Sequence, residues 1–345
     1  MEWDVIGHEW AAKLLSQHIA RQEARHAYLF TGPPGVGRRT LALRFAQALN
    51  CPQPPAPGQP CRTCRTCRQI EQGQHPDLSI IQSEAEGAVL KVEQVREVQR
   101  SLSLMPYQAT YRVALLRRFQ EANASAQNGL LKTLEEAPAK VILLLTADTA
   151  ESLLPTIASR CEVLRLRPLP VERLAQALNE RWGQAPEEAR RLAHLSGGRV
   201  GYALRLVNDP ALLERRGAWL DELRELLAAP MRQRFAFADR VTRSREKAAL
   251  LPEMYQIWLT YWRDVLLTTA GATSAHEGHG TSGAMTVPLI NLDRTDEIRH
   301  VAGQVSLAEA RTRTADLERG LARLSANVNA RLLTEVLLLD WPRVR

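Results

Sequence analysis

No apolar run in this sequence is long enough to cross a membrane. Val141 to Leu145 is among its longest, far short of the roughly 20 residues that a spanning helix needs. The first residues, Met1-Glu2-Trp3-Asp4, have neither the basic nor the apolar stretch of an export signal, which implies a cytoplasmic, reducing setting. Lysine is scarce: five residues, at 13, 91, 132, 140 and 247, against 40 arginines. So strong a skew points to compositional bias, and it makes any single Arg-for-Lys exchange weak evidence of altered chemistry. The cations are not gathered into a basic block either. The net charge of +7 hints at an anionic partner such as nucleic acid and by itself decides nothing.

What is present is an ordinary globular composition, 45% apolar and 24% charged over 345 residues, enough for two or three compact units. The first 165 residues alternate short apolar runs with amphipathic stretches, the pattern of a parallel sheet with helices on both faces. Strands are expected over Ala27–Thr31, Arg112–Leu116 and Val141–Thr146, and helices over Arg39–Leu49, Ser125–Glu136 (closed by Pro138) and Ser152–Ala158. After Arg167-Pro168-Leu169-Pro170 only helices are expected, beginning with Val171–Trp182 and Pro186–Leu195 and then a turn at Gly197-Gly198. From about Pro210 the helices lengthen, and Trp258, Leu259, Trp262, Val265 and Leu266 recur at spacings that put them on one buried face. The division expected is 1–166, 167–209 and 210–345. A Gly/Ser/Thr/Ala-rich stretch from Gly271 to Gly283 reads as a mobile loop, and its His276 and His279 as solvated residues rather than metal ligands.

Gly32-Pro33-Pro34-Gly35-Val36-Gly37-Arg38-Arg39-Thr40 follows a strand and opens a helix, the setting of a phosphate-binding loop. In such a loop glycines let backbone N–H groups curl round the phosphates. A Lys then reaches the β/γ oxygens, and the next residue's hydroxyl holds Mg²⁺. Here those two positions are Arg38 and Arg39. Arg39 puts a positive charge where the metal ligand belongs, and Thr40, one residue on, points about 100° away around the helix. The strand Arg112–Leu116 should be followed by an acidic pair that helps hold the metal; it is followed by Arg117-Arg118. Both magnesium-binding elements are lost together, so hydrolysis by this chain is not expected, whereas metal-free nucleotide binding stays open.

Cys51, Cys61, Cys64 and Cys67 form C-x9-C-x2-C-x2-C in a short insertion, about 51–70, with proline-rich sequence between the first two. In a reducing compartment such a cluster is a metal site rather than a disulfide set. Four thiolates close a tetrahedral Zn²⁺ shell, which leaves no open position and makes the role structural. An iron–sulfur cluster and free thiols are the alternatives, since C-x2-C-x2-C also occurs in ferredoxin-type runs. Cys161 stands apart as a small buried residue.

Taken together, His26-Ala27-Tyr28-Leu29-Phe30-Thr31-Gly32, the cysteine cluster, His75-Pro76-Asp77-Leu78, Leu130-Leu131-Lys132-Thr133-Leu134-Glu135-Glu136 and Ser159-Arg160-Cys161 resemble the clamp-loader subunits of bacterial DNA polymerase III. Weaker resemblance runs through Ser196-Gly197-Gly198-Arg199 and Ser325-Ala326-Asn327-Val328-Asn329. The resemblance implies an AAA+ module carrying a zinc insertion, a small helical lid and an all-helical collar. It also implies a five-membered ring with γ/τ and δ subunits that uses ATP to set a sliding clamp on primer-template DNA. It favours zinc at the cysteines, and the broken motifs put this chain in the branch without its own ATPase. The residue that senses ATP from the lid in hydrolysing members falls here on Gly201, with Arg199 two residues before. Arg160 is expected to act in trans, its guanidinium set against the γ-phosphate held by a neighbouring subunit. The competing functions are an active γ/τ-like ATPase and a zinc-dependent DNA-binding protein.

Overall fold

The apolar runs of the first half become a five-stranded sheet: β1 (Ala27–Thr31), β2 (Leu78–Ile81), β3 (Arg112–Leu116), β4 (Val141–Ala147) and β5 (Glu162–Arg165), in the order β2-β3-β4-β1-β5. Every pairing is parallel, with Ala27 opposite Leu143, Tyr28 opposite Glu162, Arg112 opposite Val141 and Leu78 opposite Val113. Side chains alternate between two buried faces, as a sheet covered on both sides requires. Tyr28, Phe30, Val113, Leu115, Ile142 and Leu144 pack on one face with Leu15 of α1 (Glu9–Ala20) and with Leu41 and Phe45 of α2 (Arg38–Asn50). Leu29, Ala114, Leu116, Leu143 and Leu145 pack on the other. There they meet Val95 and Val98 of α4 (Val92–Leu102) and Leu130 and Leu134 of α5 (Ala124–Glu135), α3 being Arg65–Gln72.

The computed structural model describes residues 3–84, 87–273, 287–325 and 328–344. Its chain falls into two units, 1–169 with 199–202, and 170–198 with 203–345. In the first, β2 and β5 were not anticipated, because both are four-residue edge strands with polar or charged positions and lack the continuous apolar signal of central strands. The expected helix Ser152–Ala158 is shorter: α6 spans Pro155–Ala158. Proline disfavours helical backbone in the residue before it, Leu154 sits at ψ 134°, and Ser152 instead closes a turn on the Thr149 carbonyl at 2.7 Å.

The second unit contains α7 (Val171–Trp182) and α8 (Pro186–Leu195), as expected, and then most of α9 (Val200–Asn208), whose first residues belong to the first unit. It continues with α10 (Pro210–Ala228), α11 (Met231–Thr242), α12 (Arg245–Ala248), α13 (Leu251–Thr269), α14 (Thr295–Ala302), α15 (Leu307–Ser325) and α16 (Ala330–Leu339). Its core is built on α13, where Trp258, Trp262 and Val265 are fully buried while Leu259 and Leu266 pack half-buried at the shoulder. Trp258 meets Trp341 edge-on at 4.9 Å. Burying large apolar side chains of this kind stabilises by roughly 1.5–3 kcal/mol each. Arg234 ties the chain end to this core, donating to the carbonyls of Leu226 (3.0 Å), Trp341 (2.6 Å) and Pro342 (2.9 Å). His276 and His279, and Ala326 and Asn327 of the C-terminal motif, lie outside the described residues. No described helix is long and apolar enough to cross a membrane.

Candidate functional site

The loop between β1 and α2 has a backbone that only glycine adopts freely. Gly32, Gly35 and Gly37 sit at φ 140°, 83° and 114°, and a Cβ on Gly32 would meet the Leu166 carbonyl oxygen at 2.4 Å. The loop is anchored to the end of β4: Gly32 N–H donates to the Asp148 carbonyl at 3.0 Å. Beneath it, buried His8 donates from Nε2 to the Val36 carbonyl at 2.8 Å. Arg38 does not point outward. It is buried, and its guanidinium donates to Asp148 Oδ1 at 2.7 Å. Arg39 and Thr40 are exposed.

At the end of β3 the two cations part company. Arg118 takes a left-handed backbone at φ 48° and donates its N–H to Thr146 Oγ1 at 2.9 Å. Its side chain grips Glu121 at 2.9 Å and Ser83 at 3.0 Å. Arg117 is half-buried, and among the described residues its guanidinium donates to the neutral side-chain oxygen of Gln82, at 2.5 Å. Burial, and then the fields of Arg39, Arg118 and Arg38, pull its pKa below the ordinary guanidinium value. The carboxylates of this region, Asp148 and Glu121, are thus each already engaged by an arginine.

Residues 199–202 close over the tip of the loop. Gly201 N–H donates to the Gly35 carbonyl at 2.7 Å. A Cβ at Gly201 would lie 2.9 Å from that same oxygen, so in this arrangement the position has no room for a side chain, least of all an arginine. Arg199 lies over the Tyr202 ring, 4.6 Å from its centroid. Arg160 follows α6 on the surface; it donates to the Thr156 carbonyl at 2.9 Å and pairs with Glu135 of α5 at 2.6 Å. An exposed pair of this kind is worth about 0–1 kcal/mol, so releasing the guanidinium to another partner costs little.

The four cysteines of the insertion converge, their sulfurs all within 4.8 Å of one another. One tetrahedral ion with metal–sulfur bonds near 2.3 Å sets thiolates about 3.8 Å apart, and Cys61 and Cys67 lie at 3.9 Å. Iron–sulfur clusters spread their thiolates round a multi-iron core, which this spacing does not accommodate. Backbone donors face the sulfurs: Cys61 N–H to Cys51 at 3.4 Å, Cys64 N–H to Cys61 at 3.3 Å and Cys67 N–H to Cys64 at 3.4 Å. Such bonds orient ligands and spread thiolate charge. The module is braced from α2, where Gln47 donates to the Cys67 carbonyl at 2.7 Å and Arg44 pairs with Glu71. Cys161 stays outside the cluster, and burial pushes its thiol up to about 12.

Sequence reading missed three features. Asp148, the partner of Arg38, follows β4 immediately and was findable as the first polar residue after that run. Glu121, partner of Arg118, lies three residues on, where no periodicity marks it. Asp77 is fully buried and accepts from the N–H groups of Tyr107, Gln108 and Ala109 at 2.7, 2.7 and 2.9 Å and from Arg112 at 3.2 Å. It fixes a loop that leaves Leu104, Met105 and Tyr107 exposed. Burial alone would raise its pKa; those donors outweigh it and hold the carboxyl below the usual range.

A parallel sheet in this strand order, with a glycine loop running from β1 into α2, defines a P-loop domain of the AAA+ class. A family model described as "DNA polymerase III, delta subunit" matches residues 7–170. The DNA polymerase III subunit delta-prime of Pseudomonas aeruginosa is 32% identical over 342 residues, covering 96% of each chain. Its counterpart in Bacillus subtilis is 30% identical over 328 residues, covering 95% of this chain and 94% of that one. The tau subunit of Escherichia coli is 33% identical over 211 residues, 60% of this chain and 32% of that one. The chain belongs to the delta-prime family of DNA polymerase III clamp-loader subunits.

Proposed function

We propose that this chain is a non-hydrolysing clamp-loader subunit that supports ATP-dependent loading of a sliding clamp onto primed DNA and lends Arg160 to the ATP site of a neighbouring subunit. The observation that carries the first part is the pairing around the loop. Arg39 and Arg117-Arg118 stand where a hydroxyl and two carboxylates would hold magnesium, and the nearby acids are bound to Arg38 and Arg118. Without metal ligands no ion bridges the β- and γ-oxygens through the transition state of phosphoryl transfer. The second part is supported by the place of Arg160 at the surface, half-buried, where its pair with Glu135 is cheap to exchange.

The reading includes a ring of five with γ/τ and δ subunits, in the cytoplasm, and a division into AAA+ module (1–166), lid (167–209) and collar (210–345). The outer face of α16 supports a collar role: Leu332, Val336 and Leu339 are exposed at i, i+4 and i+7, an apolar stripe suited to another helix. Cys51, Cys61, Cys64 and Cys67 would hold a structural zinc, which organises the insertion and takes no part in chemistry. The test mixes the purified chain with γ/τ, δ, clamp and primed DNA and measures ATP turnover with wild type and with Arg160→Ala. The expected result is none from the isolated chain and a sharp fall in the assembled loader when Arg160 is lost. Similarity to a tau subunit keeps one rival, an active ATPase; hydrolysis by the isolated chain, abolished by changing Arg38, would establish it.

A further inference from the structure

Residues 3–8 run between the cysteine insertion and the phosphate loop and are fastened to both. At the insertion Trp3 is buried. Its ring stacks on Phe45 of α2 with centroids 6.1 Å apart, and its indole N–H donates to the Gly58 carbonyl at 2.9 Å. Asp4 pairs at 2.7 Å with Arg62, which stands between the ligand positions Cys61 and Cys64. Both members of that pair hold left-handed backbones, Asp4 at φ 50° and Arg62 at φ 63°. Outside glycine such a conformation is costly and persists where the surroundings impose it. For Arg62 the surroundings are the ligand ring itself, in which Cys64 N–H donates to the Cys61 sulfur. The insertion also presses on α1: a Cβ on Gly58 would meet the Ser16 carbonyl oxygen at 2.4 Å.

The other end of the segment reaches the loop. Val5 is buried, and Gly7 turns the chain at φ 82° so closely against Leu169 that a Cβ would lie 2.3 Å from its side chain. His8, buried in its turn, donates from Nε2 to the Val36 carbonyl at 2.8 Å, while its own carbonyl accepts the Ala12 N–H and starts α1. The loop tip is thus held on two sides, Val36 by His8 and the Gly35 carbonyl by Gly201 at 2.7 Å. Its glycines bring no side chains of their own to fix this shape.

We propose that residues 3–8 are a strap that couples metal occupancy at Cys51, Cys61, Cys64 and Cys67 to the shape of the phosphate loop at the far end of α2. A short cysteine-rich insertion has little core of its own, so without metal it unfolds locally. Gly58 and Arg62 then leave their places. Trp3 loses the acceptor for a buried N–H, which is costly, and Asp4 loses its cation. The strap comes away and takes His8 from beneath Val36. By linkage, whatever fastens the strap also tightens metal binding by the same factor. The far face of the sheet, with α4 and α5, belongs to a separate core and stays folded. The inference rests on the reading of the four cysteines as a metal site and is independent of Arg160.

The test is hydrogen exchange of the full chain, its metal content measured first, before and after addition of a strong chelator. Three amides report on the strap: Ala12, bonded to the His8 carbonyl, Val36, bonded to Pro33, and Gly201, bonded to Gly35. Removing metal should speed exchange about tenfold at peptides carrying all three, together with 51–70, and leave α4 and α5 unchanged. Trp3→Phe keeps a ring on Phe45 and gives up the bond to Gly58; combined with Asp4→Asn it unfastens the strap while all four ligands remain. In that metal-loaded double variant the three amides should already exchange fast, 51–70 should stay protected, and chelation should add nothing at the three. Its metal affinity, read by competition with a chromophoric chelator, should fall about tenfold. His8→Ala cuts the other end and should speed Val36 and Gly201 with metal in place, which keeps the test valid if the double variant is unstable. Chelation that exposes 51–70 but leaves Ala12, Val36 and Gly201 protected would overturn the strap and leave the metal reading standing. Equal loss of protection in α4 and α5 would also overturn it, as general unfolding of the domain. A pure protein without metal would remove both readings.

Discussion

The cysteine insertion and the phosphate loop sit at opposite ends of α2, and each is the outline of a metal site. In one the donors are complete: four sulfurs within 4.8 Å, backbone N–H groups aimed at them, and a brace from Gln47. In the other, Arg39, Arg117 and Arg118 stand where such donors would be, on a loop whose glycines hold φ values of 140°, 83° and 114°. The difference teaches that loop shape and metal chemistry are separable. A P-loop conformation is encoded by Gly32, Gly35 and Gly37 and by the strand before it, while the capacity to hydrolyse is encoded in side chains that can be exchanged without disturbing the fold.

The largest expected effect breaks the complete site. Metal binding to closed zinc shells is worth on the order of 10 kcal/mol, so a strong chelator, or Cys67→Ser, should unfold residues 51–70. Hydrogen exchange should show protection lost there while the central strands β1, β3 and β4 keep theirs. Metal analysis that finds no zinc in the pure protein would contradict the assignment.

Next in size is Asp77→Asn, which leaves three N–H donors and Arg112 facing a poorer acceptor and should cost about 1–3 kcal/mol. The carboxyl's pKa is held down in the folded state. Its contribution is therefore complete above the ordinary aspartate value of about 4 and is lost as pH falls through the lower folded value. Denaturation curves at neutral and acid pH should show wild type and variant converging on acidification; a gap that widens would contradict the account.

The smallest effects separate the two kinds of arginine. Arg118→Ala removes a clamp on Glu121 and Ser83 and should destabilise by about 1 kcal/mol, whereas Arg39→Ala should stay within about 0.5 kcal/mol. Comparable losses at both positions, by thermal or chemical denaturation, would mean that Arg39 serves the fold.

Much of this comparison was legible in the sequence. The metal-ligand spacing of the cysteines, the glycine spacing of the loop, and the bare substitutions at 39, 117 and 118 are local patterns. The central strands were legible because both their faces are buried and their runs are therefore uniformly apolar; β2 and β5, at the edges, were not. What stayed hidden were pairings set by topology. Nothing local says that Asp148 will turn Arg38 inward, or that Gly201 will close on Gly35 from 166 residues away. The five-stranded order brings the ends of β1, β3 and β4 together, and only then do separate arginines become one cluster.

The central claim, a subunit that has given up its own site while completing a neighbour's, is tested most directly by clamp- and DNA-stimulated ATP turnover in the reconstituted loader with wild type and Arg160→Ala. Arginine fingers contribute about 10³–10⁵ in rate at the site they serve. The account predicts that turnover at the adjoining site collapses while the subunits still assemble and the isolated chain remains inactive. Turnover unchanged by Arg160→Ala would contradict it.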